Sequence, residues 1–594
     1  MAGTVVDSLV SAAGATAEVG NDGLPTSGQK GGTLRVGIGS EQPSNTTFSG
    51  AKGKMDAAAF CIANAVYDPL FVASADGKTW LPNLAINATS DAAAKVWTIT
   101  LRQGVTFHNG DAFTADHVVA NYTAAKNDLT VGLAIKPLIA NCEKVSTYVV
   151  KYTTVNSWTT FPFHLSEQQI AYMAHPIDLD ANGGKPIGTG PFLLQSLGDW
   201  NQTTGVSTWQ ANPNYWKKDS AGNSLPYVDT LVFKVIVDPN SRWQALQSGT
   251  IDLMVNNDGG AIKNVKSATG SSVTAVSGSN SSYRWVSDEN GVREPAINCL
   301  IVNTQGAPAN WPAGGKPKGA VNPSNGTWNA TATPVVSDIR IRQACAAAIN
   351  RTTYLSGQDG SIGQVIDGIY RAKVGGKANP MYKDPKYPKY STTAAKALVA
   401  AWKKANPGVA CAFVIDIVAG NDAQLAAFTW IKGQLAIVGI TVTSRSMVQK
   451  DLIQAKIDKH YDASTWSQFG GITPDLNYVW FNSFPFLGKQ ANNYVNFAQQ
   501  ADPALQAAMI AGLKAANGSA AQKTAWQTVN TRLAVNIPYL YLDTTVTMFA
   551  ARANVKNFAY AGTPGTMGSS ANKATARAYS PDGGSARWEH IFKV

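Results

Sequence analysis

Apolar and polar positions alternate strictly from Val96 to Arg102, with Trp97, Ile99 and Leu101 on one side and Thr98, Thr100 and Arg102 on the other. A period of two predicts a half-buried strand. A turn at Asn109-Gly110 follows, then a helix opening at Thr114 with Asp116 in its first turn and Val118, Val119 and Tyr122 as its apolar positions. The same alternation, Leu34, Val36 and Ile38, predicts a strand over 33–38 behind Gly31-Gly32. Residues 58–81 read as a helix, the segment YDPLF, a strand and a turn at Asp76-Gly77. A strand is predicted over 297–304. A helix then starts with Ser337 as N-cap and Asp338 in its first turn. Further on come a helix over 394–406 stopped by Pro407-Gly408, a strand over 411–418, a helix over 421–438 closed by Gly439, and a strand over 440–444. That strand–helix–strand order predicts parallel pairing.

At 594 residues the chain is long enough for two to four domains. Hydrophobic residues make up 44% and charged residues 15%, which supports globular cores. The net charge of +11 raises the question of nucleic acid, but Lys and Arg are scattered without a long basic run, so a nucleic-acid partner is not expected. Residues 1–30 are small and polar, without a basic start or an apolar stretch. They are expected to be a flexible tether rather than a signal peptide. No apolar run reaches the roughly 18 residues of a membrane helix. Five cysteines (Cys61, Cys142, Cys299, Cys345, Cys411) lack metal-type spacing. Cys345 shares an apolar stripe with Ile341, Ala348 and Ile349 and reads as a buried thiol, while one or two disulfides elsewhere stay open.

Catalytic patterns are missing. The six histidines never fall in HExxH or HxH spacing, and there is no GxSxG, no GxxxxGK[ST] and no GxGxxG opening a helix. Asp178 to Asn182 mimics the start of a calcium loop, but Thr189 stands where its last ligand should be. The expectation is a protein that is not an enzyme and that holds no metal or cofactor.

Ordered motifs carry more information. GGTLRVG opens at Gly31. The stretch VWTITLRQGVTFHNGDAFTADHVVANY spans Val96 to Tyr122, and LPNLA begins at Leu81. GTGPF begins at Gly188 and NPNYW at Asn212, and an element SDIRIRQA begins at Ser337. Together these resemble the family 5 extracellular solute-binding proteins, receptors of bacterial ABC importers for peptides and related ligands. The resemblance covers nearly all of 31–594. It implies an α/β, periplasmic-binding-protein-like fold of type II, a clam shell of two main α/β lobes plus a smaller inserted lobe. The expected boundaries are a tether over 1–30, a discontinuous lobe I over 31–60, 190–285 and 535–594, an inserted lobe II over 61–189, and lobe III over 286–534. Gly188 and Gly190 are expected to permit a tight chain crossing.

By the same resemblance the ligand-binding loop is WSQFGGITPD, beginning at Trp466. The candidate ligand contacts are Trp466, Ser467, Gln468, Phe469, Asp475 and Trp480, with Glu41, Asn303 and Trp285 as further candidates. Family peptide receptors place an Asp for the ligand's ammonium where Phe469 stands here. Either Asp475 has moved into that role or the ligand carries no cation there, because a buried ammonium without a carboxylate partner is costly. Trp97 and Trp216 lie in framework motifs and read as packing residues. The implied function is capture of an oligopeptide or similar small polar ligand by lobe closure, with delivery to an ABC permease. The protein is expected to be a monomer, extracytoplasmic and membrane-tethered as a lipoprotein. An oligosaccharide is the alternative ligand, favoured by Phe469 and 16 tryptophans. A different class, an extracellular adhesive or structural protein reusing the fold, is raised by the Gly/Pro-rich insertion at 305–334.

Overall fold

A computed structural model describes residues 28–39, 57–73, 79–128, 131–179, 185–201, 203–219, 222–269, 283–287, 297–304, 319–358, 360–374, 377–468, 470–471, 473–483, 495–556, 579–580, 585–586 and 588–594. The chain forms two compact units. The first is Met1–Arg293 with Gly471–Thr473 and Val546–Val594, and the second is Glu294–Gly470 with Pro474–Thr545. The segments expected to form lobes I and II, up to 285, fall together in the first unit.

The first unit is built on an eight-stranded mixed sheet. Its order is Tyr283–Ser287, Met548–Arg552, Leu253–Asn256, Thr33–Ile38, Thr230–Val235, Val206–Ala211 and Phe192–Leu193, with Trp200–Asn201 also on Val206–Ala211. Thr33–Ile38 lies parallel to both of its neighbours, so the three carboxyl ends share one edge. Its inward residues Leu34, Val36 and Ile38 are almost fully buried. A separate four-stranded antiparallel sheet runs Ala85–Ser90, Val96–Leu101, Val149–Thr154, Ile139–Ser146. There the predicted alternation holds: Trp97, Ile99 and Leu101 are buried and the residues between them half-exposed. The following helix is Ala115–Asn127, with Thr114 as N-cap and its backbone N–H donating to His117 Nδ1 at 3.1 Å.

The sequence motifs converge on one buried carboxylate. Asp68 of YDPLF is 3% exposed. It accepts from Thr189 Oγ1 (3.0 Å) of GTGPF, and from Tyr215 OH (3.3 Å) and Trp216 Nε1 (2.9 Å) of NPNYW; Lys217 Nζ lies at 3.2 Å. The glycines of GTGPF make the approach possible. A Cβ on Gly188 would collide with Val66 O, and one on Gly190 would lie 2.6 Å from that oxygen, to which Gly190 N–H donates at 2.9 Å.

Two buried histidines bear on acid stability. His108 contacts Gly190 O through Nε2 (3.0 Å) and accepts from Gly188 N–H through Nδ1 (3.2 Å), and burial pushes it down to about 4. His164 packs at 4.9 Å from Trp158, and burial pushes it down to about 3. Both stay neutral when folded but accept a proton near 6.5 when unfolded, so the stability they share is lost as pH falls from about 6.5 towards 3. Melting temperatures of wild type and His164→Phe should diverge across that window, with the variant losing less. Parallel curves would contradict the assignment.

The second unit carries a five-stranded sheet in the order Thr441–Met447, Ala412–Val418, Ala463–Gln468, Ile297–Val302, Tyr539–Thr544. The predicted parallel pair is present, joined by the helix Asp422–Ile437, and its register sets Asp416 opposite Arg445. Two hydrogen bonds, 2.8 and 2.9 Å, join these side chains.

Several expectations are corrected. Asp338, not Ser337, caps the helix Ile339–Ala348, accepting from Arg340 N–H, because Ser337 closes a preceding 3-10 turn. Tyr539–Thr544, placed by sequence in the tail of lobe I, instead pairs with Ile297–Val302 in the second unit. The chain joins the first unit only from Val546. All five cysteines are buried free thiols, so no disulfide forms. The turn at Asp76-Gly77 and residues 305–318 of the 305–334 insertion lie outside the described residues.

Candidate functional site

The strand Ala463–Gln468 runs antiparallel to Ile297–Val302, which sets Trp466 opposite Cys299 and Gln468 opposite Ile297. Beyond it, a 3-10 turn Pro474–Leu476 leads into the short helix Asn477–Phe481 and returns Trp480 to Trp466. Their rings lie 6.1 Å apart, and both pack on Phe497, at 5.5 and 5.9 Å, with interplanar angles of 65–80°. This edge-to-face trio is the favoured aromatic geometry.

Its polar groups are the informative part. The indole N–H of Trp466 and that of Trp480 are buried and meet no acceptor among the described residues. Gln468 donates through Nε2 to Asn477 Oδ1 at 3.3 Å, but its buried Oε1 has no described donor. Four framework tryptophans behave differently. Trp97, Trp209, Trp216 and Trp588 donate to Trp158 O, Ser207 Oγ, Asp68 Oδ2 and Cys61 O. Trp526, whose N–H also lacks a described acceptor, lies in a helical core instead. A buried donor left unmade costs about 1–3 kcal/mol, which a site recovers when a ligand oxygen arrives.

Asp475 is 2% exposed in the 3-10 turn. Ser467 is exposed, its hydroxyl 3.1 Å from that of Thr545. Asn303 is fully buried: its amide donates to Tyr461 O (2.8 Å) and accepts from Gln499 Nε2 (2.6 Å), so both ends are engaged within the unit. Trp285 lies in the first unit, 8% exposed under Lys266 Nζ at 5.0 Å, its N–H also without a described acceptor. Glu41 and Phe469 lie outside the described residues. The structure thus brings together Trp466, Gln468, Asp475 and Trp480 around one loop of the second unit, while Trp285 belongs to the first unit.

Two residues of this neighbourhood had no sequence signal. Phe497 reaches the tryptophans only through tertiary packing. Lys459 sits with positive φ, its Nζ 5.1 Å above the Phe497 ring. Burial pushes its ammonium down to about 7. No group of three or more His, Cys, Asp or Glu suited to a metal occurs among the described residues, and no described helix is long and apolar enough to cross a membrane.

Comparison with known proteins agrees with this architecture. Residues 79–488 match the model of the bacterial extracellular solute-binding proteins, family 5. The chain belongs to that family, and its α/β architecture is the type II periplasmic-binding fold. It is similar to a nickel-binding periplasmic protein of Escherichia coli K12, 30% identical over 201 residues, which is 33% of this chain and 36% of the relative. It is also similar to a glutathione-binding protein of Salmonella paratyphi A, 32% identical over 195 residues, covering 32% and 36%. The matches therefore span about a third of these relatives' length. Among solved structures, the oligopeptide-binding protein AppA of Bacillus subtilis in complex with a nonapeptide superposes with a TM-score of 0.69 at 19% identity, covering 96% of this chain and 100% of that one.

Proposed function

We propose that this chain is the extracytoplasmic substrate-binding component of an ABC importer, taking up an oligopeptide or similar small polar ligand by lobe closure and passing it unchanged to a membrane permease. The carrying observation is the pair of buried indole N–H donors on Trp466 and Trp480, facing no described acceptor beside an orphaned Gln468 carbonyl. Donors and an acceptor in one aromatic setting suit a peptide backbone, which offers both carbonyls and N–H groups. Relatives whose names specify glutathione and oligopeptides support the same ligand class. In this reading 61–189 acts as an inserted lobe and the polar arm 1–30 as the tether.

An oligosaccharide is the second reading, favoured by the Trp466–Trp480–Phe497 ring cluster, since sugar faces stack on such rings. Thermal shift against di- to pentapeptides and against cello-, chito- and xylo-oligosaccharides separates the two. Peptides should raise the melting temperature by several degrees, as mass-action linkage requires of any tight ligand. Stabilisation by sugars alone would reverse the order, and indifference to both panels would overturn the proposal.

A further inference from the structure

Arg242 is the most anomalous side chain of the first unit. It stands in the first turn of the helix Pro239–Ser248 and is 3% exposed. Its side chain makes no hydrogen bond or ion pair with any described residue, and its Nε is buried without an acceptor. Buried guanidinium groups are ordinarily paired, because an uncompensated buried charge is among the most destabilising features a fold can carry. Arg342 in the second unit shows the usual arrangement, donating to the carbonyls of Asn536, Val336 and Ser337.

The chain has shaped a place for this side chain. The helix Pro239–Ser248 connects Thr230–Val235 to Leu253–Asn256, and in the sheet these strands flank Thr33–Ile38. The Arg242 side chain runs along the end of that central strand. A Cβ on Gly37 would sit 3.6 Å from Arg242 Cγ, and a Cβ on Gly39 would collide with the guanidinium. The charge is thus held at the shared carboxyl edge of three parallel strands, where open α/β sheets place their ligands. Among the described residues the acidic groups facing it are Asp238 and Asp258, with the Cys61 thiol also near. Each carboxylate caps a helix, Asp238 accepting from Ser241 N–H at 2.6 Å and Asp258 from Ala261 N–H at 2.7 Å, and neither forms an ion pair with Arg242. Burial still pulls the guanidinium down to about 10, so these neighbours do not offset its desolvation.

We propose that Arg242, at the carboxyl edge of the first unit's sheet, is an anion subsite that takes a carboxylate of the bound ligand. The substrate class is therefore an acidic one: a peptide held by its C-terminal or side-chain carboxylate rather than by its ammonium. The net charge of +11 would favour its approach. The ligand's identity as a peptide rests on the function proposed above; the anion subsite does not.

The test uses the full chain and Arg242→Met, with Arg242→Lys as a second variant. Three probes serve at constant ionic strength: sodium succinate, tri-alanine, and tri-alanine amide. Without any ligand, Arg242→Met should melt about 1–3 °C above wild type, because it removes an unpaired buried charge. Succinate should raise the melting temperature of wild type, less so that of Arg242→Lys, and leave Arg242→Met unmoved. Tri-alanine should bind wild type roughly tenfold to a hundredfold more tightly than its amide, as a charge-assisted bond implies, and Arg242→Met should not distinguish them. A Met variant that melts lower or fails to fold would show Arg242 to be structural and overturn the inference. An unchanged succinate response in that variant would do the same. Peptide binding that ignores both the amide and the variant would remove the anion subsite and leave the importer reading standing. An Arg242-dependent succinate shift with no response to any peptide would sustain the subsite and remove the peptide reading.

Discussion

Replacing Asp68 with alanine is expected to lower the stability of the first unit by about 3–5 kcal/mol, the usual result of stripping one partner from a buried ion pair. Asp68 and Lys217 are 3% and 7% exposed, and among the described carboxylates Lys217 would keep Glu589, 3.7 Å away. The same carboxylate accepts from Thr189, Tyr215 and Trp216, so three donors would also lose their acceptor. Asp68→Asn, which keeps one carbonyl oxygen but not the charge, should lose less. Urea midpoints of the two variants against wild type check the order, and an Asp68→Ala midpoint within error of wild type would refute the network's importance. Because YDPLF, GTGPF and NPNYW all end on this group, their order along the chain has a mechanical reason. One carboxylate gathers segments more than a hundred residues apart.

Trp466→Ala is expected to weaken ligand binding by about 2–4 kcal/mol, roughly 30- to 1000-fold in Kd, as for a central aromatic anchor. Trp466→Phe separates the causes. It keeps a ring against Trp480 and Phe497 but deletes the indole N–H, so a loss of roughly tenfold would be the hydrogen bond's share. Calorimetry with a peptide identified in the panel measures both. Equal affinity for wild type and Trp466→Ala would take this loop out of the binding site. The Phe substitution carries a second sign: with no ligand present it removes an unpartnered buried donor, so the empty variant should be no less stable than an ordinary Trp-to-Phe change allows.

Local signals were legible wherever the physics was local. The alternation over 96–101 states which side chains face a core, and Thr114 and Gly439 mark helix ends through short-range hydrogen bonding and a permitted positive φ. Even so, the cap at Asp338 rather than Ser337 turned on a preceding 3-10 turn that residue preference does not register. The loop from Trp466 to Trp480 was legible through its motif, because both tryptophans sit in one short stretch. Phe497 and Lys459 were not, since they reach the loop only after the chain has folded back. Asn303 looked available as an exposed amide would, and folding buried it against Tyr461 and Gln499.

By itself the sequence determined the family, the α/β alternation, the parallel pair over 412–418 and 441–447, and the glycines that let the chain pass Val66. Those features depend on neighbours along the chain or on motifs quoted whole. Tertiary structure alone decided which sheet claims Tyr539–Thr544, a strand buried on both faces whose apolar run fits either unit until its register with Ile297–Val302 is formed. It alone also decided that Arg242, in a segment the sequence analysis did not single out, would be carried to the edge of three strands and form no ion pair with any described residue. Propensity and periodicity describe each residue's preference for water or core, whereas pairing is settled by which distant groups arrive at the same place.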